Sequence, residues 1–100
     1  MEKNAKVVII GGGVVGCSIL YHLSKFGLKD CILLERNELT SGSSWHAAGN
    51  VHVISSDPNI SRMMAYTIGL YKEIEKESGH SVGFKPSGGF YLASNEVWAD

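Results

Sequence analysis

The string Gly11-Gly12-Gly13-Val14-Val15-Gly16 stands between a β-branched run, Lys6-Val7-Val8-Ile9-Ile10, and an apolar-periodic stretch reaching Phe26. The run before the glycines is expected to form a buried parallel strand, and the stretch after them a helix. Each of three glycines then has its own steric task. Gly11 permits a tight exit from the strand, Gly13 lets backbone approach a pyrophosphate, and Gly16 lets helix and strand pack closely. The helix N-terminus offers unpaired N–H groups and the positive end of its dipole to phosphate oxygens.

Within that helix, Val15, Ile19, Leu20, Leu23 and Phe26 keep a spacing of three and four, which predicts one apolar face. Gly27 is placed to stop it, and Leu28-Lys29-Asp30 turns the chain into a second strand, Cys31-Ile32-Leu33-Leu34-Glu35. Strand, helix and strand make one right-handed βαβ unit. Glu35 ends the second strand nineteen positions beyond Gly16 (35 − 16). There its carboxylate can accept hydrogen bonds from both ribose hydroxyls of an adenosine and repel a 2′-phosphate, which disfavours NADP. FAD and NAD both carry ADP, and this unit by itself suits either. An NAD-dependent dehydrogenase and a non-catalytic module holding ADP-like ligands stay open at this point.

A second glycine-bearing turn, Thr40-Ser41-Gly42-Ser43-Ser44-Trp45-His46-Ala47-Ala48-Gly49, follows Glu35. Its short side chains can contact a pyrophosphate or ribityl chain, and an NAD-binding unit has no need of it. Val51 to Ile54 is a candidate extended piece. Asp57-Pro58 reads as N-cap and first position of a second helix, with Ile60, Met63, Met64, Ile68, Tyr71 and Ile74 at helical spacing and Gly79 as its stop. Gly83 to Ala93 reads as a turn at Pro86 to Gly89 entering a strand.

The expected class is therefore α/β, with an incomplete Rossmann-like βαβ unit. Residues 1–80 are assigned to the N-terminal part of a cofactor-binding domain. Residues 81–100 are assigned to the start of a second, substrate-domain sheet. Only two clear parallel strands are present, and a parallel sheet needs cover on both faces. The expectation is the N-terminal part of a larger protein, poorly stable alone.

A 44% hydrophobic content suits a soluble globular chain, and a net charge of −1 supplies no basic field for nucleic acid or anionic lipid. The apolar stretches fall short of the roughly 18 residues of a membrane span. With the first strand starting close to Met1 there is no room for a signal peptide, and a cytoplasmic location is the expectation. Cys17 and Cys31 form no CxxC pattern, and His22, His52 and His80 are dispersed, so no metal site is expected.

Val7 to Gly16, Leu33-Leu34-Glu35-Arg36, Leu39 to Gly49 and Gly83-Phe84 together resemble the N-terminus of FAD-dependent amine oxidoreductases of the D-amino-acid oxidase superfamily, the dimethylglycine and sarcosine dehydrogenases in particular. The resemblance implies that Gly11, Gly13, Val14, Val15 and Gly16 lie along the pyrophosphate and that Glu35 and Arg36 lie at the adenosine ribose. It further places Gly42, Ser43, Ser44, Trp45, His46, Ala47, Ala48, Gly49 and Asn50 along the rest of FAD. Asn50 stands where the family pattern has leucine. In that family the histidine matched by His46 is joined covalently to the flavin 8α-methyl carbon. The implied reaction is oxidation of an N-methyl amine by hydride transfer to flavin. Oxygen or an electron-transfer flavoprotein would be the acceptor, and tetrahydrofolate a possible further cofactor of the full-length protein. No catalytic residue is expected before Asp100.

Overall fold

A computed structural model describes residues 4–94, so residues 95–100 of the expected substrate-domain segment lie outside the described residues. The chain divides after Gly49 into two compact units. The first contains strand β1 (Val7–Ile10), helix α1 (Val14–Lys25) and strand β2 (Cys31–Leu34). The strands pair in parallel, with Val7 opposite Cys31 and Ile10 opposite Leu34. Just past the ladder, Gly11 N–H donates to the Leu34 carbonyl at 2.8 Å, which holds the first turn level with the tip of β2.

Alternation along β1 separates a covered face from an open one. Ile9 is only 8% exposed, whereas Ile10 on the opposite face is 87% exposed. The expectation of a buried strand therefore holds for one face only, because α1 is the one helix of this unit. The apolar face of α1 also differs from its predicted composition. Gly16, Leu20 and Leu23, spaced i, i+4, i+7, are its covered line. Val15 and Phe26 are 70% and 82% exposed and fall on a neighbouring stripe with Ile19.

At its C-terminus, α1 closes as expected. Gly27 takes φ +88°, Leu28 N–H reaches the Leu23 carbonyl at 2.9 Å, and Gly27 N–H reaches that of Ser24 at 2.9 Å. This pair of bonds is a Schellman closure, which absorbs carbonyls the helix would otherwise leave bare.

The second unit is organised by helix α2 (Pro58–Ser78). The Asp57 carboxylate caps it, accepting from Asn59 N–H at 2.7 Å and Ile60 N–H at 3.4 Å, with Pro58 in the first turn. Gly79 at φ +71° ends it. The Glu75 carboxylate accepts from Ser81 Oγ and Val82 N–H, and the Tyr71 and Phe84 rings lie 6.0 Å apart, so the following segment folds back along the helix. Of the predicted apolar set, Met64, Ile68, Tyr71 and Ile74 are partly covered, while Ile60 and Met63 are exposed.

Two extended pieces predicted from the sequence are not strands. Residues 51–54 and 81–94 carry no ladder, and the one sheet among the described residues is β1 with β2. The start of a second sheet is accordingly not formed among the described residues. No helix among them is long and apolar enough to cross a membrane, and no group of three metal-ligating side chains occurs.

Candidate cofactor site

The site begins at the turn between β1 and α1. Gly11 adopts φ +107°, a region closed to side chains with a Cβ, and this reverses the chain directly after the strand. Gly16 packs so closely that a Cβ there would overlap the Gly11 carbonyl oxygen and lie 3.4 Å from Ile9 Cγ2. Together they press the N-terminus of α1 against the end of the sheet. Gly13 is the N-cap in extended conformation and has no side chain with which to cap.

Glu35 follows the last residue of β2 and is tied to the first turn and to the segment just after β2. Its Oε2 accepts from Gly12 N–H at 2.7 Å, and its Oε1 accepts from Asn37 N–H at 2.9 Å. The N–H groups of Asn37 and Gly12 hold its carboxyl below the ordinary value of 4.5 against the opposing effect of desolvation, with lesser help from the N–H and charge of Arg36. Each oxygen keeps a further lone pair, so the carboxylate can still receive two hydroxyl donors.

Gly12 is the site residue that sequence reasoning passed over. A Cβ there would stand 2.6 Å from Leu39 Cδ2 and 3.0 Å from Glu35 Cβ. Its carbonyl accepts Thr40 N–H at 2.9 Å and the Cys17 thiol at 3.6 Å. A run of three glycines was the available signal, but the role of the middle one depends on residues 23 and more positions away.

The second turn folds directly onto the first. Thr40 N–H donates to Gly12, and Val14 N–H, at the start of α1, donates to Ser44 Oγ at 2.8 Å. Thr40 sits at φ +65°, the one non-glycine residue with positive φ among the described residues. A β-branched residue persists there only where its surroundings over-determine it. Here its N–H is fixed by Gly12, and its carbonyl accepts Trp45 N–H at 3.0 Å.

His46 Nδ1 lies 2.8 Å from the Gly42 carbonyl oxygen. A carbonyl only accepts, so Nδ1 carries the hydrogen, and in the neutral ring Nε2 then holds the free lone pair. Trp45 and His46 are exposed, and so are Gly42, Ser43, Ala47, Ala48 and Gly49. Arg36 is exposed beside Glu35. Asn50 belongs to the second unit, where it lines a recess with Val51, His52, Met64, Thr67 and Tyr71.

A glycine turn closing a strand onto a helix, with an acid at the tip of the next parallel strand, defines a dinucleotide-binding βαβ unit. The chain belongs to the FAD dependent oxidoreductase family, whose pattern residues 6–100 match. It is 47% identical over 99 residues to human dimethylglycine dehydrogenase, covering 99% of this chain and 11% of that protein. It is 41% identical over 101 residues to human sarcosine dehydrogenase, covering 100% of this chain and 11% of that protein. A 4-methylaminobutanoate oxidase of Paenarthrobacter nicotinovorans is 40% identical over 93 residues, covering 93% of this chain and 11% of that protein. The chain thus spans about a tenth of the length of these relatives.

Membership decides for FAD over NAD as the family cofactor. The two human relatives are mitochondrial proteins, and this overturns the cytoplasmic location expected from the sequence. The short stretch ahead of β1 says nothing about compartment, so the inference from a missing leader had no physical basis.

The arrangement fits FAD. Among the described residues, the Gly13 and Val15 N–H groups have no protein acceptor, while that of Val14 is taken by Ser44. Donors for a pyrophosphate and an acceptor for a ribose therefore stand at the two strand ends of one small sheet.

Proposed function

We propose that this chain is the cofactor-binding start of an FAD-dependent dehydrogenase or oxidase acting on a secondary or tertiary N-methyl amine of the dimethylglycine or sarcosine kind. The observation that carries the reading is the second turn, latched onto the glycine turn through Thr40 and Ser44 with His46 beyond it. The names of the relatives supply the substrate class, since three of them act on N-methylated amino compounds.

In this reading Gly11, Gly12, Gly13, Val15 and Gly16 shape and line the pyrophosphate position, with Val14 serving through its link to Ser44. Glu35 and Arg36 take the adenosine ribose. Gly42, Ser43, Ser44, Trp45, His46, Ala47, Ala48 and Gly49 extend toward the ring system, and Asn50 is assigned there by family matching alone. When bound, FAD supplies the two-electron acceptor for amine oxidation. The chain's own residues bind, orient and tune it. The Nδ1–H bond to Gly42 leaves His46 Nε2 as the nitrogen available for a covalent bond to the flavin 8α carbon. Residues 1–80 are proposed as the cofactor domain and 81–100 as the approach to a substrate domain. An acceptor that is either oxygen or an electron-transfer flavoprotein, and a folate site, belong to the full-length protein.

The test is anaerobic mixing of the full-length flavoprotein with sarcosine, dimethylglycine and unmethylated glycine. Bleaching of the flavin absorbance by an N-methyl amine and not by glycine is expected. Indifference to every N-methylated amino acid refutes the substrate class. Acid precipitation separately tests the histidine bond, which predicts yellow colour in the pellet and is refuted by colour in the supernatant alone.

A further inference from the structure

We propose that Ser44 is a positioning residue, which caps α1 from the second turn and thereby sets the place of His46 relative to the glycine turn. The inference rests on the covalent-flavin reading of His46 and concerns how that bond is made possible.

Helix α1 starts at a glycine, so it has no local side chain for its first N–H groups. Ser44 Oγ fills that role from thirty residues away, accepting Val14 N–H at 2.8 Å. The fit is close, because a Cβ on Gly13 would stand 3.1 Å from the same oxygen. Glycine at position 13 thus also makes room for the serine. Two residues on, His46 is held by the Gly42 carbonyl, and between them Trp45 N–H is shared by the Thr40 and Gly42 carbonyls at 3.0 and 3.2 Å. Thr40 in turn donates to Gly12.

The second turn is therefore pinned to the first at two points, one at its start and one at Ser44. Removing the Ser44 hydroxyl leaves only the Thr40 point, six residues before the imidazole. The bond would replace one 8α C–H by C–N, with the proton released to solvent and the electron pair taken up by the flavin ring, which dissolved oxygen would then reoxidise. Its formation depends on holding the imidazole at a fixed approach, so a looser loop lowers its rate. A lost N-cap is worth ~1 kcal/mol, which corresponds to roughly a fivefold change.

The experiment follows the rate of covalent flavin incorporation when full-length apoprotein is mixed with FAD, read as fluorescence of the protein band after denaturing electrophoresis. Ser44→Ala is expected to slow incorporation about fivefold, and Ser44→Thr, which keeps the hydroxyl, to restore it. Asp57→Ala removes a cap of similar kind from α2 and is expected to leave the rate unchanged. Wild-type speed in Ser44→Ala overturns the proposal, as does failure of Ser44→Thr to restore it or equal slowing by Asp57→Ala. Wild-type protein with no covalent flavin overturns the His46 linkage itself, and the positioning role falls with it.

Discussion

Gly16→Ala and Gly69→Ala are the same chemical change in two helices, and the structure assigns them opposite signs. Alanine is better than glycine inside a helix by about 1 kcal/mol, so both substitutions start with a favourable term. At Gly69 nothing lies within 4 Å of the added Cβ, and that term stands alone. At Gly16 the Cβ would overlap the Gly11 carbonyl oxygen and lie 3.1 Å from its carbon. These are backbone atoms, so no flexible side chain can yield. Either α1 moves off the sheet or the Gly11 turn opens, and overpacking of this sort costs about 1–3 kcal/mol or more. The net expectation is a gain of up to about 1 kcal/mol for Gly69→Ala and a loss of up to about 2 kcal/mol for Gly16→Ala. Thermal release of flavin fluorescence from the full-length protein measures both. Because the Gly16 overlap sits under the proposed pyrophosphate position, its variant should also retain less flavin. A Gly16→Ala protein that keeps full flavin content and melts no lower than wild type refutes the packing account.

Further expectations come from the same geometry. Glu35 has a depressed folded pKa, so its contribution is complete above the ordinary carboxyl value of 4.5 and is lost as pH falls through the folded value. The difference in flavin affinity between wild type and Glu35→Gln should be greatest at neutral pH and shrink toward acid, and equilibrium titration of FAD at several pH values checks this. Thr40→Pro removes the N–H that binds Gly12 and cannot adopt φ +65°, so it should destabilise the full-length protein by about 3 kcal/mol. Thr40→Gly, free of the steric conflict, should retain wild-type flavin content; denaturant titration and absorbance ratios separate the two. The 100-residue polypeptide on its own should show no sharp calorimetric transition, because Ile9 is the one buried hydrophobic side chain among the described residues. A cooperative melt of that polypeptide would count against the burial argument.

The elements of the first unit were legible because their signals are local. A glycine that must leave a strand, a glycine that must stop a helix, and β-branched runs between them carry their own steric logic. The caps of α2, Asp57 and Gly79, were legible for the same reason. Contacts decided by distant residues were not. Val15, Ile19 and Phe26 have the same helical period as Leu20 and Leu23, and only the position of Ile9 under Gly16 shows which line faces the sheet. Gly12 drew no notice because Leu39 and Glu35 crowd it in space alone. Ser44 was assigned to the cofactor, yet its bond to Val14 depends on the two turns meeting, which no spacing rule states. The expected strand near Phe90 failed because pairing is a property of two segments, and only one was in view.

The two-stranded ladder has one more implication. Among the described residues β1 pairs only with β2, and each strand keeps one flank of amide and carbonyl groups with no partner in the ladder. Such flanks recruit other strands indiscriminately. Preparations of this stretch by itself should therefore grow turbid in proportion to concentration through lateral addition of copies, and short peptides able to occupy those flanks should keep it in solution.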